Sequence, residues 1–317
     1  MGLAGAPPRT PEYFGQEETG CGMSWARVRL LPVLAVVLAI LVAWYGGAVA
    51  LNAKWAEDQA RRADVTLTFP DLVAATWSQD KPRLPAPHQV AAEIWKTTGA
   101  MVQRGRAFSK RSLIFHGWVT LSATALGFVL GTGLGILLAI GIVLNRAMDM
   151  SVMPWVIASQ TIPILAIAPM IVVVMNSIGF AGLVPKSIIS MYLSFFPVVV
   201  GMTKGLRSPD AMQMDQMRTW NASTWQTLVR LRLPSSMPYL FASLKVGIAA
   251  SLVGAIVGEL PINQDGGLGA RMLVGSYYGQ TIQIWSALFV AAALAACLVG
   301  SVGVLQRVTL RRMGMAR

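Results

Sequence analysis

The sequence predicts an all-α integral membrane protein with six transmembrane helices, and three observations carry that class. The 317-residue chain is 55% hydrophobic and only 13% charged, whereas soluble domains carry about 25% charged residues. Its mean hydropathy is +0.57. Its apolar residues gather in charge-free runs of the length, about 20 residues, that a helix needs to cross a bilayer. The net charge of +12 is spread between those runs, which suits anionic headgroups and a positive-inside arrangement. Nucleic-acid binders instead collect basic residues on one water-exposed face.

Residues 1–27, rich in Gly, Pro and Glu, read as a disordered cytoplasmic tail. The first transmembrane helix is expected over residues 28–53. Within it Ala48-Val49-Ala50 resembles a signal-peptidase site behind Arg27 and Arg29. The apolar stretch exceeds the usual 7–15 residue signal core and the leader is too long, so a retained span is expected. Residues 54–112 form an extracytoplasmic segment, in which Leu84-Pro85-Ala86-Pro87 is a stiff turn before an amphipathic helix over 88–101. This segment carries ten basic residues on the expected outer side, against the bias. It lies near the length of about 60 residues beyond which loops escape that rule.

Residues 113–308 hold a five-helix core. Its first helix is the run 113–144. The second is expected over 151–175, closed by a turn at Asn176-Ser177-Ile178-Gly179-Phe180 and by Pro185. The third covers 187–203. The fourth runs from near Tyr239 to Gly258, with Lys245 snorkelling to one interface and Glu259 at the other end. The last covers 281–306, followed by a cytoplasmic tail over 309–317. With both termini inside, Arg146, Lys204, Arg207, Arg218, Arg230, Arg232, Arg307, Arg311, Arg312 and Arg317 are cytoplasmic, and the short outer loops hold Lys186 and Arg271. Gly127, Gly131 and Gly135, four residues apart, allow close helix packing.

Several chemistries find no support. Cys21 and Cys297 lie in a polar tail and an apolar run, which gives no disulfide framework. His88 and His116 have no neighbouring Cys or carboxylate cluster, so no metal site is expected. No phosphate-binding Gly-x4-Gly-Lys-Ser/Thr loop occurs, and no nucleophile, base and orienter come together in sequence. No catalytic residues and no cofactor are expected in this chain.

The polar segment from Asp215 to Pro238 interrupts the apolar pattern, inside a cytoplasmic loop over 208–238. Pro209 suits the first turn of a helix, expected over 210–220. Asn221 follows, a residue that tolerates the left-handed conformation ending a helix. Ser223 and Gln226 fit a capping box for a second helix over 224–231, stopped by Pro234 and Pro238. Met212, Met214, Met217, Trp220, Trp225, Leu228 and Leu231 give the pair an apolar surface, and flexible methionines suit a groove on a partner protein. A helix pair lying on the membrane is the other reading.

This segment resembles the EAA motif of the permease subunits of binding-protein-dependent ABC importers, which reads roughly Glu-Ala-Ala, three residues, Gly, and Leu-Pro about a dozen residues later. Asp215, Gln216 and Met217 occupy the Glu-Ala-Ala place, Asn221 the glycine, and Leu233-Pro234 the closing pair. Ala222, Ser223 and the Pro238-Tyr239-Leu240-Phe241-Ala242 stretch also match. Gln216, Met217 and Asn221 depart from the usual small residues. Three further features are similar to the nitrate, sulfonate, taurine and pyrimidine-precursor branch: the Pro-x-Pro at Pro85 and Pro87, the run Gly254-Ala255-Ile256-Val257-Gly258-Glu259-Leu260, and Gly267-Leu268-Gly269.

The resemblance implies a type I ABC importer permease fold with a cytoplasmic coupling helix, in the bacterial cytoplasmic (inner) membrane. It implies two copies of a cytoplasmic ATPase that bind ATP and Mg, a second permease copy, and a periplasmic or lipid-anchored binding protein. The coupling residues would be Asp215, Gln216, Met217, Arg218, Asn221, Ala222, Ser223, Leu233 and Pro234. The cargo would be a small polar nutrient such as a sulfonate, a nitrate-like anion or a pyrimidine-type compound. A stand-alone secondary transporter and a membrane scaffold are the alternatives. Secondary transporters usually embed coupling charges in the membrane, and only Lys245 and Glu259 qualify. Ser159, Gln160 and Thr161, before Pro163, and Glu259 are the pore candidates. Ser159, Gln160 and Thr161 either line a cavity beside the break, or Ser159 and Thr161 bond the preceding turn and Gln160 pairs between helices; Glu259 either faces a vestibule or marks the interface.

Overall fold

The computed structural model describes residues 25–261 and 265–315, with side chains from residue 31 onward. The described residues are helices and short connections, without strands. Among the described residues, five helices are long and apolar enough to cross a membrane, and a bent pair supplies a sixth candidate. The chain is a multi-pass membrane protein.

The chain divides after Gly46 into two units. The described part of the first unit is the apolar opening of helix α1 (Trp25–Arg62). This helix runs through Ala48-Val49-Ala50 and past Ala53 to Arg62. The expected tail over 1–27 lies outside the described residues except at its end, where the helix has already begun.

In the second unit, α1 ends and is followed by α2 (Phe69–Trp77), α3 (Pro87–Thr97) and α4 (Gly99–Gln103). The amphipathic helix expected over 88–101 is thus two helices, divided at Thr98. Asn52 organises this region. Its carboxamide donates to the Leu84 carbonyl at 2.8 Å and accepts from the Arg83 N–H at 2.8 Å. Nothing in the apolar run around Asn52 signalled that role.

The core is built on α8 (Leu183–Leu206), which lies between α5 (Leu113–Leu144) and α11 (Leu233–Glu259). The glycine ladder of α5 faces α8. A Cβ at Gly131 would sit 2.1 Å from Ser194 Oγ, and one at Gly135 would sit 2.8 Å from Val198. On the other flank of α8, a Cβ at Gly201 would meet Ser243 at 2.4 Å. Close approach also brings hydroxyls to backbone carbonyls across helices: Ser190 Oγ donates to the Ser251 carbonyl at 2.8 Å, and Ser251 Oγ to the Thr124 carbonyl at 2.9 Å. Such bonds are worth about 1 kcal/mol or less each in membranes. Ala139, Val198, Met202, Leu206 and Leu240 fill the space nearer the polar segment 208–238.

Between α5 and α8 the chain forms α6 (Arg146–Ser159) and α7 (Ile164–Ser177), bent by 100°. The span expected over 151–175 is therefore two helices that meet at the break before Pro163. Pro163 lacks an N–H and disfavours helical geometry at the residue before it, so the helix stops at Ser159 and restarts after Pro163. Gly179 and Gly182, with φ of 87° and 69°, make the reversal into α8. Lys186, expected in an outer loop, sits in the first turn of α8 and is buried. The remaining elements are α9 (Ala211–Thr219), α10 (Thr224–Thr227), α12 (Leu268–Tyr277) and α13 (Thr281–Arg312).

Candidate functional site

The polar insert folds as a capped elbow between α8 and α11. Asp210, not Pro209, begins it: its carboxylate accepts from the Gln213 N–H at 2.7 Å, and the Gln213 carbonyl oxygen of the side chain accepts from the Asp210 N–H at 3.2 Å. This reciprocal pairing satisfies two otherwise free donors. Helix α9 then ends on Asn221 with φ of 52°. The Ala222 N–H donates to the Met217 carbonyl at 3.0 Å, and the Asn221 N–H to the Arg218 carbonyl at 2.8 Å. Those two bonds are the Schellman closure of a helix end. A second capping box starts α10, with the Gln226 N–H donating to Ser223 Oγ at 3.2 Å and the Ser223 N–H to Gln226 Oε1 at 2.9 Å.

The second half departs from expectation. Pro234 and Pro238 do not stop a helix; α10 continues through a π turn (Leu228–Arg232) into α11. The Leu233 N–H reaches back to the Leu228 carbonyl across that wider turn. A proline ring ordinarily clashes with the carbonyl four residues earlier. The π turn loosens the ladder there, and the helix stays continuous from Thr224 to Glu259. Leu233 and Pro234 are half-buried at this joint.

The apolar residues of the elbow divide into two sets. Met217 and Leu228 turn inward, Leu228 with no exposure at all, and so join the core instead of a partner surface. Met212, Trp220 and Trp225 are 83%, 66% and 67% exposed, a cost in water that a polar helix pair has no internal reason to bear. Arg218 pairs with Asp215 of its own helix at 3.0 Å, both side chains being largely exposed. Such a pair is worth roughly 0.2–0.5 kcal/mol, so either group is easily taken over by another partner. Two cavities flank the elbow: about 320 Å³ between Leu144, Met217, Ala222 and Arg232, and about 410 Å³ between Gln216, Trp220, Gln226 and Arg230. Asp215, Gln216, Met217, Arg218, Asn221, Ala222 and Ser223 are thus gathered on one structure, with Leu233 and Pro234 at its base.

The pore candidates do not form one cluster. Ser159 Oγ donates to the Val156 carbonyl at 2.7 Å and Thr161 Oγ1 to the Ala158 carbonyl at 2.8 Å, each closing the end of α6. Gln160 is exposed beside them at the bend, and the Tyr192 hydroxyl donates to the Ser159 carbonyl.

Glu259 belongs to a separate clamp at the opposite end of α5 from the elbow. It is fully buried. Its carboxylate accepts from Thr120 Oγ1 at 2.7 Å and from the Gly269 N–H at 2.8 Å. Thr120 Oγ1 also accepts from the Leu268 N–H at 2.9 Å, and His116 Nδ1 accepts from the Gly267 N–H at 3.0 Å. The other ring nitrogen of His116 lies 3.0 Å from the Lys110 carbonyl; one neutral tautomer, protonated at Nε2, makes both bonds. The buried Lys186 ammonium donates to the Gly266 carbonyl at 3.3 Å. Gly267 has φ of 123°, and a Cβ there would lie 2.2 Å from the Glu259 carboxyl carbon. The clamp ties α5, α8, α11 and α12 together. Sequence reading found Glu259 and the Gly267-Leu268-Gly269 run but not His116, Thr120 or Lys186. A lysine at the edge of an apolar run carries no mark of its partner.

Residues 131–315, more than half of the chain, match the family described as binding-protein-dependent transport system inner membrane component. Among curated relatives, a probable ABC transporter permease protein of Haemophilus influenzae is 30% identical, over 63% of this chain and 80% of its own length. The formylaminopyrimidine transport permease protein ThiX of Halalkalibacterium halodurans is 31% identical, over 56% of this chain and 70% of its own. The riboflavin transport system permease protein RibX of Chloroflexus aurantiacus is 29% identical, over 72% of this chain and 80% of its own. The chain belongs to the binding-protein-dependent transport system inner membrane component family, as a non-catalytic permease subunit of an ABC importer.

Proposed function

We propose that the chain forms the translocation pathway of an ATP-driven importer and that the elbow of α9 and α10 is its coupling helix, seated in a cleft of a cytoplasmic ABC ATPase. The observation that carries this reading is the elbow itself. It is rigidly capped at both ends of its turn, yet presents exposed tryptophans and a methionine to water. Rigidity suits a lever, and apolar tips suit a groove on a partner.

Two ATPase copies would serve two permease copies, with ATP and Mg bound by the ATPases and no cofactor in this chain. A periplasmic or lipid-anchored binding protein would deliver the cargo from the side of α12. Both termini would lie in the cytoplasm of a bacterium, with the chain in its inner membrane. The cargo is a small polar nutrient; relatives named for formylaminopyrimidine, aliphatic sulfonates and nitrate support that class. The bend at Ser159, Gln160 and Thr161 is the best-placed pore lining, because its exposed Gln160 has no partner in the chain among the described residues.

The test is co-purification of the ATPase with the permease. Trp220→Ser and Trp225→Ser together should remove the ATPase while the permease keeps its wild-type melting temperature. Undiminished co-purification would overturn the coupling role of the elbow.

A further inference from the structure

At the end of α5 away from the elbow, a cavity of about 240 Å³ opens between the first turn of α5 and α12. It is smaller than the roughly 300–1,000 Å³ of drug-sized ligand pockets. Among the described residues its lining carries two cations, Lys110 and Arg271, and no carboxylate. His116 forms a wall and has no free donor, since both ring nitrogens are engaged by Gly267 and Lys110 backbone groups. Gln283 adds a side-chain amide without a partner among the described residues.

Arg271 is the informative residue. Its side chain is only 13% exposed, yet its partners are poor: Nη1 reaches the Arg111 carbonyl at 3.4 Å, and Nη2 lies 3.9 Å from Glu93. Its Nε–H is buried with no acceptor among the described residues. A buried donor left without an acceptor calls for an explanation. Burial also pulls the guanidinium below the ordinary arginine range, and Glu93 opposes this only in part. Charge and donors are therefore both under-compensated beside a small cavity.

We propose that this cavity is a binding site for a single phosphate-type oxyanion, held by the planar fork of Arg271 and by the Lys110 ammonium. Guanidinium groups match such anions in geometry as well as charge. The site is independent of the coupling elbow and stands whether or not the elbow docks an ATPase. The anion is either free in solution or the headgroup phosphate of a lipid at the membrane face.

The experiment uses the full-length chain, with any subunits that co-purify, in nanodiscs and a buffer free of polyvalent anions. In phosphatidylcholine nanodiscs, inorganic phosphate is titrated and binding read by calorimetry. In nanodiscs containing phosphatidylglycerol, retained lipid is read by native mass spectrometry. Lys110→Gln, an exposed change, should weaken whichever binding occurs by about tenfold, the size of one charge-assisted contact. Arg271→Gln should abolish it. Saturable phosphate binding that responds to Lys110→Gln identifies a free anion. Retained phosphatidylglycerol that responds, without phosphate binding, identifies a lipid. Absence of both, or binding that Lys110→Gln leaves unchanged, overturns the proposal even if Arg271→Gln fails to fold.

Discussion

Replacing Asn221 by valine places a β-branched side chain at φ of 52°. Left-handed backbone costs an ordinary L-residue roughly 1–2 kcal/mol, and a β-branched residue lies at or above the top of that range. If the turn escapes the strain by opening, it loses the Ala222–Met217 and Asn221–Arg218 bonds, at 3.0 and 2.8 Å. In this exposed turn each is worth no more than about 0.5–1 kcal/mol. Wild type loses the same bonds on opening, so the strain alone sets the difference: the closed elbow should lose about 2 kcal/mol of local stability, a fall of roughly thirtyfold in its population relative to open forms. Asn221→Gly removes the Cβ and should be neutral. Hydrogen exchange read at Asn221 and Ala222, with ATP-dependent uptake by proteoliposomes carrying the partner ATPase, separates the two variants. Valine should speed exchange and cut uptake; glycine should change uptake little. Wild-type exchange and uptake in Asn221→Val would refute the claim that this turn transmits force.

Gly131→Ala forces a Cβ to within 2.1 Å of Ser194 Oγ and 2.9 Å of the Met191 carbonyl, which should cost about 1–3 kcal/mol by overpacking. Gly133→Ala, facing open space, should leave the detergent melting curve unchanged. Glu259→Ala strips the clamp of its acceptor and leaves the buried Lys186, among the described residues, with only the 4.0 Å contact to Asp265; a loss of about 3–5 kcal/mol is expected from chemical denaturation. Arg218→Ala should alter stability by less than about 0.5 kcal/mol, yet weaken ATPase binding measured by surface plasmon resonance.

The fold class was legible because hydrophobic runs report membrane spans directly, and the elbow because its caps are local: Asn221, Ser223 and Gln226 act within a turn of themselves. Features that depend on distant partners were not. Lys186 read as a loop charge because its burial depends on Gly266 and Asp265, about eighty residues on. The continuity of α10 into α11 was hidden because Pro234 looks like a stop unless a π turn precedes it, and no residue type specifies a π turn. The bend before α7 was half visible: Pro163 marked the break, but a proline does not specify an angle of 100°. Met217 and Leu228 were expected on a partner surface because periodicity alone does not say which side of a short helix meets the core.

Whether the elbow lies against the ATPase is read most directly by site-specific cross-linking. Ala222→Cys, in a background where Cys21 and Cys297 are replaced, would be treated with a short thiol cross-linker in the assembled complex. An adduct to the ATPase is expected, changing in yield when ATP is added without hydrolysis. No adduct to the ATPase under any nucleotide condition, with the same thiol labelled instead by a lipid-soluble reagent, would contradict it.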